Sequence, residues 1–253
     1  LNLIIDIGNS QTKVAVFDAG EIVQTIFTKS LDETQISRLK QLYPGLNQAI
    51  LSSVAEINED LLLVLTNEFD FFLQFNHQTP VPIENRYESK QTLGLDRLAA
   101  AVGGAYLFPA KDLLIIDAGT AITFDFIDKN NRYLGGNISP GLAMRFKALH
   151  HFTRNLPEIA AADQMADIGK TTGEAIRTGV QRGMIFEIDG MIDYADQISP
   201  GCYAILTGGD SYFFDKKLKN TIFVKFELTL IGLNEILEYN AKNKLSFMKN
   251  TDS

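Results

Sequence analysis

The chain has 253 residues, 45% of them hydrophobic and 21% charged, and a formal net charge of −8. That is enough apolar material for one large domain or two lobes, and it is not the composition of a disordered chain. An acidic chain without a block of Lys and Arg makes nucleic acid a poor partner, and no apolar run approaches the roughly 20 residues of a transmembrane helix, so neither nucleic acid nor membrane is expected. The single cysteine, Cys202, has no intrachain disulfide partner and sits in an apolar run, where it reads as a small buried hydrophobe.

The opening reads as three antiparallel strands: Leu3-Ile4-Ile5, then Val14 to Phe17 after the turn Gly8-Asn9-Ser10, then Ile22 to Phe27 after Asp18-Ala19-Gly20. The first run reads as a strand rather than a signal peptide, and a cytoplasmic location is expected. A helix should start near Asp32, with Ile36, Leu39 and Leu42 on one face. A strand at Ala49 to Leu51, a helix over Asn58 to Glu68 and a strand from Phe71 follow. Asp96 to Phe108 reads as the next helix.

The pattern then recurs. Leu113 to Asp117 is an apolar run ending in aspartate, followed by Ala118-Gly119-Thr120, a strand at Ile122 to Ile127, a turn, and a strand from Tyr133; Gly141 opens a helix. This order of apolar run, Asp, Gly, hydroxyl and strand matches the first segment and indicates an internal duplication of one α/β unit. A long helix over Thr172 to Ile198, a strand at Ala204 to Leu206, a turn at Gly208-Gly209 and a helix near Leu230 to Asn240 complete the chain. The expected division is an N-terminal lobe 1–108 and a C-terminal lobe 109–253, with a flexible polar tail 242–253 and a cleft between the lobes.

Asp6-Ile7-Gly8-Asn9-Ser10 puts a carboxylate at a strand end and a glycine where the backbone must turn tightly. Short polar groups and converging N–H groups there suit an anion such as a polyphosphate, with Lys13 close by to neutralise it. Asp117-Ala118-Gly119-Thr120 repeats the device. Carboxylates beside a triphosphate repel it, by up to ~4 kcal/mol at 4 Å and an effective dielectric near 20, so cations must intervene. Oxygen ligands of this kind suit Mg²⁺. In Leu93-Gly94-Leu95-Asp96-Arg97, Asp96 reads either as a helix N-cap or as the group that accepts a proton from an alcohol, with Arg97 holding an anion. Thr207-Gly208-Gly209-Asp210 reads by itself as a tight turn. His77, His150 and His151 are weak candidates for catalytic bases, the last two more naturally capping a helix or lying at the surface.

Together these segments resemble the type III pantothenate kinases of the actin, hexokinase and Hsp70-like ATPase superfamily. The resemblance rests on Asp6 to Ser10, Gly94 to Arg97, Asp117 to Ala121, Gly135 to Gly141, Thr172 to Ile176 with Gly179, and Thr207 to Gly209. It implies two duplicated RNase H-like, actin-like ATPase lobes and ATP-dependent phosphorylation of pantothenate to 4′-phosphopantothenate, the entry to coenzyme A synthesis. It also implies ATP contacts from Asp6, Ile7, Gly8, Asn9, Ser10, Gln11, Thr12, Lys13 and Thr120. A substrate site would comprise Tyr87, Gly94, Leu95, Asp96, Arg97 and Thr172, with Asp96 as catalytic base. Asp6 would hold Mg²⁺ through water, Asp117 would bind a monovalent cation (K⁺ or NH₄⁺), and the assembly would be a homodimer. Ser10 stands where the family more often has Thr. Another small-molecule kinase of the superfamily, or a transcriptional-activator-like regulator, remains an alternative.

Overall fold

A computed structural model describes residues 1–8, 11–54 and 57–251, the side chains of 245–251 excepted. In chain order the elements are β1 (Asn2–Ile7), β2 (Thr12–Asp18), β3 (Glu21–Thr28), α1 (Glu33–Leu42), β4 (Gln48–Ser53), α2 (Glu59–Glu68), β5 (Phe71–Gln74), β6 (Glu84–Asn85) and, after a 3₁₀ turn at Lys90–Thr92, α3 (Leu95–Leu107). The second series is β7 (Leu113–Ala118), β8 (Ala121–Ile127), β9 (Arg132–Pro140), α4 (Leu142–Phe152), α5 (Thr172–Ile198), β10 (Tyr203–Thr207), α6 (Ser211–Phe214), β11 (Phe223–Val224) and α7 (Leu228–Thr251).

Local chemistry sets the helix starts. Asp32 caps α1 in a reciprocal capping box with Gln35, Asn58 caps α2 through the N–H of Asp60, and Thr171 caps α5 through the N–H of Glu174. The central strands β1 and β7 are nearly continuous buried apolar runs.

The first sheet has the order β3-β2-β1-β4-β5. Its first three strands are antiparallel, and β4 and β5 run parallel to β1. Leu3, Ile5, Val14 and Val16 pack with Ile36 and Leu39 of α1 and Leu61 and Leu65 of α2. Helix α7 packs against β1, β4 and α3. A methyl at Gly103 of α3 would run into the Leu228 carbonyl, so the two helix backbones touch there. Asn2 donates from Nδ2 to Asn234 Oδ1 and to Glu238 Oε1, both 2.8 Å, which ties α7 to the start of β1.

The second sheet has six strands, β11-β10-β7-β8-β9-β6, and its β9-β8-β7-β10-β11 part repeats the order of the first, with β7 and β8 antiparallel and β10 and β11 parallel to β7. Leu114, Ile116, Phe124 and Leu206 form a core with Phe146 of α4 and Met184 and Ile188 of α5. The duplication inferred from the sequence is thus visible as two sheets of one topology.

The compact units interleave along the chain. One comprises Leu1–Pro109, Asn131–Tyr133 and the segment from Glu227 on; the other comprises Ala110–Asn130 and Leu134–Phe226. A single cut at 108/109 misses this because α7, last in sequence, buries Leu230, Leu233, Ile236 and Leu237 within the first unit. The helix expected over Leu230 to Asn240 starts at Leu228, and its backbone stays helical through Thr251, into the segment expected to be a flexible tail. Among the described residues no helix is long and apolar enough to cross a membrane.

Candidate active site

In the first unit, β1 delivers Asp6 to the end of the sheet, opposite Lys13 of β2 and Ser52 of β4. The N–H of Gly8 donates to the Gln11 carbonyl at 3.1 Å and closes the β1–β2 turn. Asn9 and Ser10 lie outside the described residues. Ile7, Gly8 and Lys13 are half-buried, Thr12 is buried and Gln11 is exposed. Asp6 is only 8% exposed, and among the described residues no hydrogen bond reaches its carboxylate. Burial pushes its carboxyl up to about 6; the Lys13 ammonium pulls it down, and the Asp96 carboxylate pushes it up again. Those opposing influences put Asp6, Lys13 and Asp96 in one electrostatic neighbourhood.

Asp96 reaches that neighbourhood from the first turn of α3. Gly94, not Asp96, occupies the N-cap position. The N-cap reading of Asp96 is therefore corrected: its Oδ1 accepts from the N–H of Arg97 at 2.8 Å, and the side chain folds back over Gly94. A methyl at Gly94 would collide with that carboxylate, so the glycine is needed to seat it. The free N–H groups of the helix start favour a negative charge here. Arg97 is 7% exposed, and its guanidinium stands 5.9 Å from the Tyr87 ring centroid. Tyr87 in turn packs 6.1 Å from Tyr133, and its N–H donates to Asn85 Oδ1 at 2.9 Å. Gly94 and Leu95 are half-buried beside them.

The second unit builds a related loop differently. Asp117, next to last in β7, lies opposite Thr123 of β8 and Thr207 of β10. The N–H of Gly119 donates to the Ala121 carbonyl at 3.0 Å, that of Gly141 to the Thr120 carbonyl at 3.2 Å, and that of Asp210 to the Ala118 carbonyl at 2.9 Å. Gly208 has φ +93°, and a methyl on it would run into Asp117 Oδ1 and the Ala118 carbonyl. The turn at Thr207–Asp210 is therefore more than a tight turn, because it closes over Asp117. Thr120 is exposed. Burial raises the Asp210 carboxyl above its usual range.

Thr172, also exposed, is the first residue of α5 and follows the cap Thr171. Arg145, for which the sequence carried no expectation, donates to the Pro140 carbonyl at 2.7 Å and to Ser139 Oγ at 3.0 Å, and pairs with Glu187. It braces the Gly135–Gly141 segment; only its position in the turn after Gly141 hinted at this. Two of the three histidines make structural contacts to backbone carbonyls. A ring nitrogen of His77 lies 2.9 Å from the Leu93 carbonyl, and one of His150, in the last turn of α4, lies 2.8 Å from the Leu156 carbonyl.

A family model described as type III pantothenate kinase matches residues 2–194. A type III pantothenate kinase of Phocaeicola vulgatus is 46% identical over 242 residues, covering 96% of this chain and 100% of that protein. The chain belongs to the type III pantothenate kinase family. Among solved structures, a Baf family transcriptional activator from Campylobacter jejuni aligns with TM-score 0.61 at 24% identity, covering 95% of this chain and 99% of that one. The activator of the 2-hydroxyisocaproyl-CoA dehydratase from Clostridium difficile, with bound ADPNP, aligns with TM-score 0.52 at 15% identity, covering 96% and 97%. At these identities the likeness carries the fold alone: the two-sheet α/β fold of actin-like ATPases and kinases.

The donor chemistry of a type III pantothenate kinase can be tested here for cations. Among the described residues no three His, Cys, Asp or Glu side chains converge into a metal cluster. Asp6 lies opposite Ser52 and shares its surroundings with the Lys13 ammonium and the Asp96 carboxylate, whereas Asp117 lies opposite Thr123 and Thr207. Carboxylate and hydroxyl oxygens at the two strand ends fit Mg²⁺ held mainly by phosphates and water, or a hard monovalent cation, and do not fit zinc. The buried Asp6 carboxylate, which receives no hydrogen bond among the described residues, would be stabilised in its ionised form by a cation.

Proposed function

We propose that the chain transfers the γ-phosphoryl group of ATP to the primary hydroxyl of pantothenate, giving 4′-phosphopantothenate, the first committed step of coenzyme A biosynthesis. The observation that carries this is the gathering of Asp6, Lys13 and Asp96 at one end of the first sheet, in a chain of this family.

Asp96 accepts the hydroxyl proton as the phosphoryl group transfers. Its seat over Gly94, fixed by the Arg97 N–H, supports that role because it limits the carboxylate to one orientation. Arg97 and Tyr87, with Gly94 and Leu95, bind the acceptor, a guanidinium for the pantothenate carboxylate and a hydroxyl for its amide and alcohols; Thr172 supplies a further substrate contact through its hydroxyl. The segment Asp6–Lys13 and Thr120 bind ATP. Mg²⁺ at Asp6, through water, and a monovalent cation at Asp117 supply the positive charge that carboxylates beside a triphosphate require.

The protein acts in the cytoplasm as a homodimer. Support for the dimer comes from α5, where Phe186, Tyr194 and Ile198 are exposed at helical spacing and Gly183 and Gly190 face open space. A second copy would cover this stripe.

The test is ADP release with Mg-ATP, with and without pantothenate. Pantothenate should stimulate release many-fold. Release that pantothenate leaves unchanged, while another small alcohol stimulates it, would reassign the substrate and leave the kinase reading intact.

A further inference from the structure

Gly141 joins two parts of the second unit. Its N–H donates to the Thr120 carbonyl at 3.2 Å, and a methyl on it would run into the carbonyls of Gly119 and Thr120. Its φ of −71° is open to any residue, so it is the close approach of backbone to backbone that demands glycine here. No side chain stands between the two segments to absorb a movement. A displacement of Gly141 is therefore passed directly to the Gly119–Thr120 loop.

Arg145 holds Gly141 from both sides. Its backbone N–H donates to the Gly141 carbonyl at 3.0 Å, the first helical bond of α4. Its side chain turns back, and Nε donates to the Pro140 carbonyl at 2.7 Å. Nη2 donates to Ser139 Oγ at 3.0 Å and pairs with Glu187. Glu187 belongs to α5, whose Met184 and Ile188 lie in the core of this unit. The contacts form one chain: α5 carries Glu187, Glu187 holds the guanidinium, the guanidinium holds the peptide before Gly141, and Gly141 rests on Thr120. Every member lies in the same compact unit.

The side chains of Arg145 and Glu187 are 21% and 27% exposed, so water screens this pair less than it screens a surface ion pair. The three acceptors, a carbonyl, a hydroxyl and a carboxylate, are met by one planar fork. A lysine ammonium carries the charge without the spread of donors.

We propose that Arg145 is a positioning residue for nucleotide binding: acting through Gly141, it fixes the Gly119–Thr120 loop in the place from which Thr120 contacts ATP. The proposal rests on the reading of Thr120 as an ATP contact given above. Arg145 acts on the loop and does not itself contact the nucleotide.

The experiment measures binding of a non-hydrolysable Mg-ATP analogue to the full chain by calorimetry, beside urea unfolding and steady-state KM values. Arg145→Gln should weaken analogue binding and raise the KM for ATP about tenfold. The KM for pantothenate should stay within about twofold, because Tyr87 and Arg97 belong to the other unit. Arg145→Lys should recover part of the loss, and Glu187→Gln, which keeps an acceptor for the guanidinium, should cost about threefold. These two milder variants carry the test if Arg145→Gln fails to fold. Arg182→Gln is the control: it removes similar bonds to the Ala166 and Asp167 carbonyls, and should lower stability while leaving analogue affinity at the wild-type value. The calorimetry needs no acceptor, so an error in the pantothenate assignment leaves this test standing. A folded Arg145→Gln that binds the analogue as tightly as wild type, or loses ATP and pantothenate alike, would overturn the inference. An equal loss of affinity in the Arg182→Gln control would do the same. A wild-type chain that does not bind the analogue would overturn the kinase reading and this inference with it.

Discussion

The two units place an aspartate at the same point of the same topology and then surround it differently. Asp6 faces Lys13 and Ser52, is buried, and receives no hydrogen bond among the described residues. Asp117 faces Thr123 and Thr207, is half-buried, and is covered by the backbone of Gly208. Duplication therefore supplied one frame twice, and the neighbours specialised it. The first copy pairs a desolvated carboxylate with an ammonium; the second leaves a half-buried carboxylate opposite two threonines. Burial makes the first arrangement cost stability when ionised.

To the first copy α3 adds a second carboxylate, Asp96. Asp96→Asn should fold, retain ATP binding and lose about 10²–10⁴-fold in turnover. Single-turnover kinetics beside an ATP-binding titration would check this. Turnover near wild type would leave Asp96 with no role beyond its contact to the Arg97 N–H.

The cost of ionising Asp6 can be measured. Its carboxyl titrates near 6 in the folded protein against 3.8 as the reference value. Below about pH 4 it is protonated in both states and has no effect. Between pH 4 and 6 the unfolded chain ionises first, so stability falls as pH rises, and a penalty of about 3 kcal/mol persists above pH 6. Asp6→Asn should therefore make the ligand-free protein more stable at pH 7 by up to about 3 kcal/mol and leave it unchanged near pH 4, while abolishing kinase activity. Urea unfolding at the two pH values reads the difference. Equal stabilities at pH 7 would mean that the carboxylate is better solvated or paired than its surroundings indicate.

The second copy should give the smallest effect. Replacing K⁺ by a bulky organic cation at constant ionic strength should lower activity, and Asp117→Asn should blunt that response. A half-solvated carboxylate–cation contact is worth about 1 kcal/mol, or roughly fivefold in rate. Identical cation responses in wild type and variant would remove the ion from Asp117.

Much of this was legible along the chain. Apolar runs ending in Asp and Gly marked the strand ends, Asp32 and Asn58 marked helix starts, and the repeat of one motif order revealed the duplication. These are local signals, because capping, turns and strand periodicity are decided by residues within a few positions of one another. The short motifs likewise sufficed for the family, since they hold chemistry whose spacing is local.

Tertiary structure decided the rest. No local signal could show that α7 would join the first unit, because its partners Asn2 and Gly103 stand more than a hundred residues away. The same holds for the closing of Gly208 over Asp117 and for the desolvation of Asp6, each set by strands and helices remote in sequence. Asp96 shows the boundary most clearly. Sequence determined that a carboxylate would stand at the start of a helix, whereas the fold seated it over Gly94 and near Asp6 instead of at the cap. Residue type and local spacing fix what a group can do, but only the folded chain fixes its solvent exposure and its neighbours, and the free energy of an ionised group depends on both.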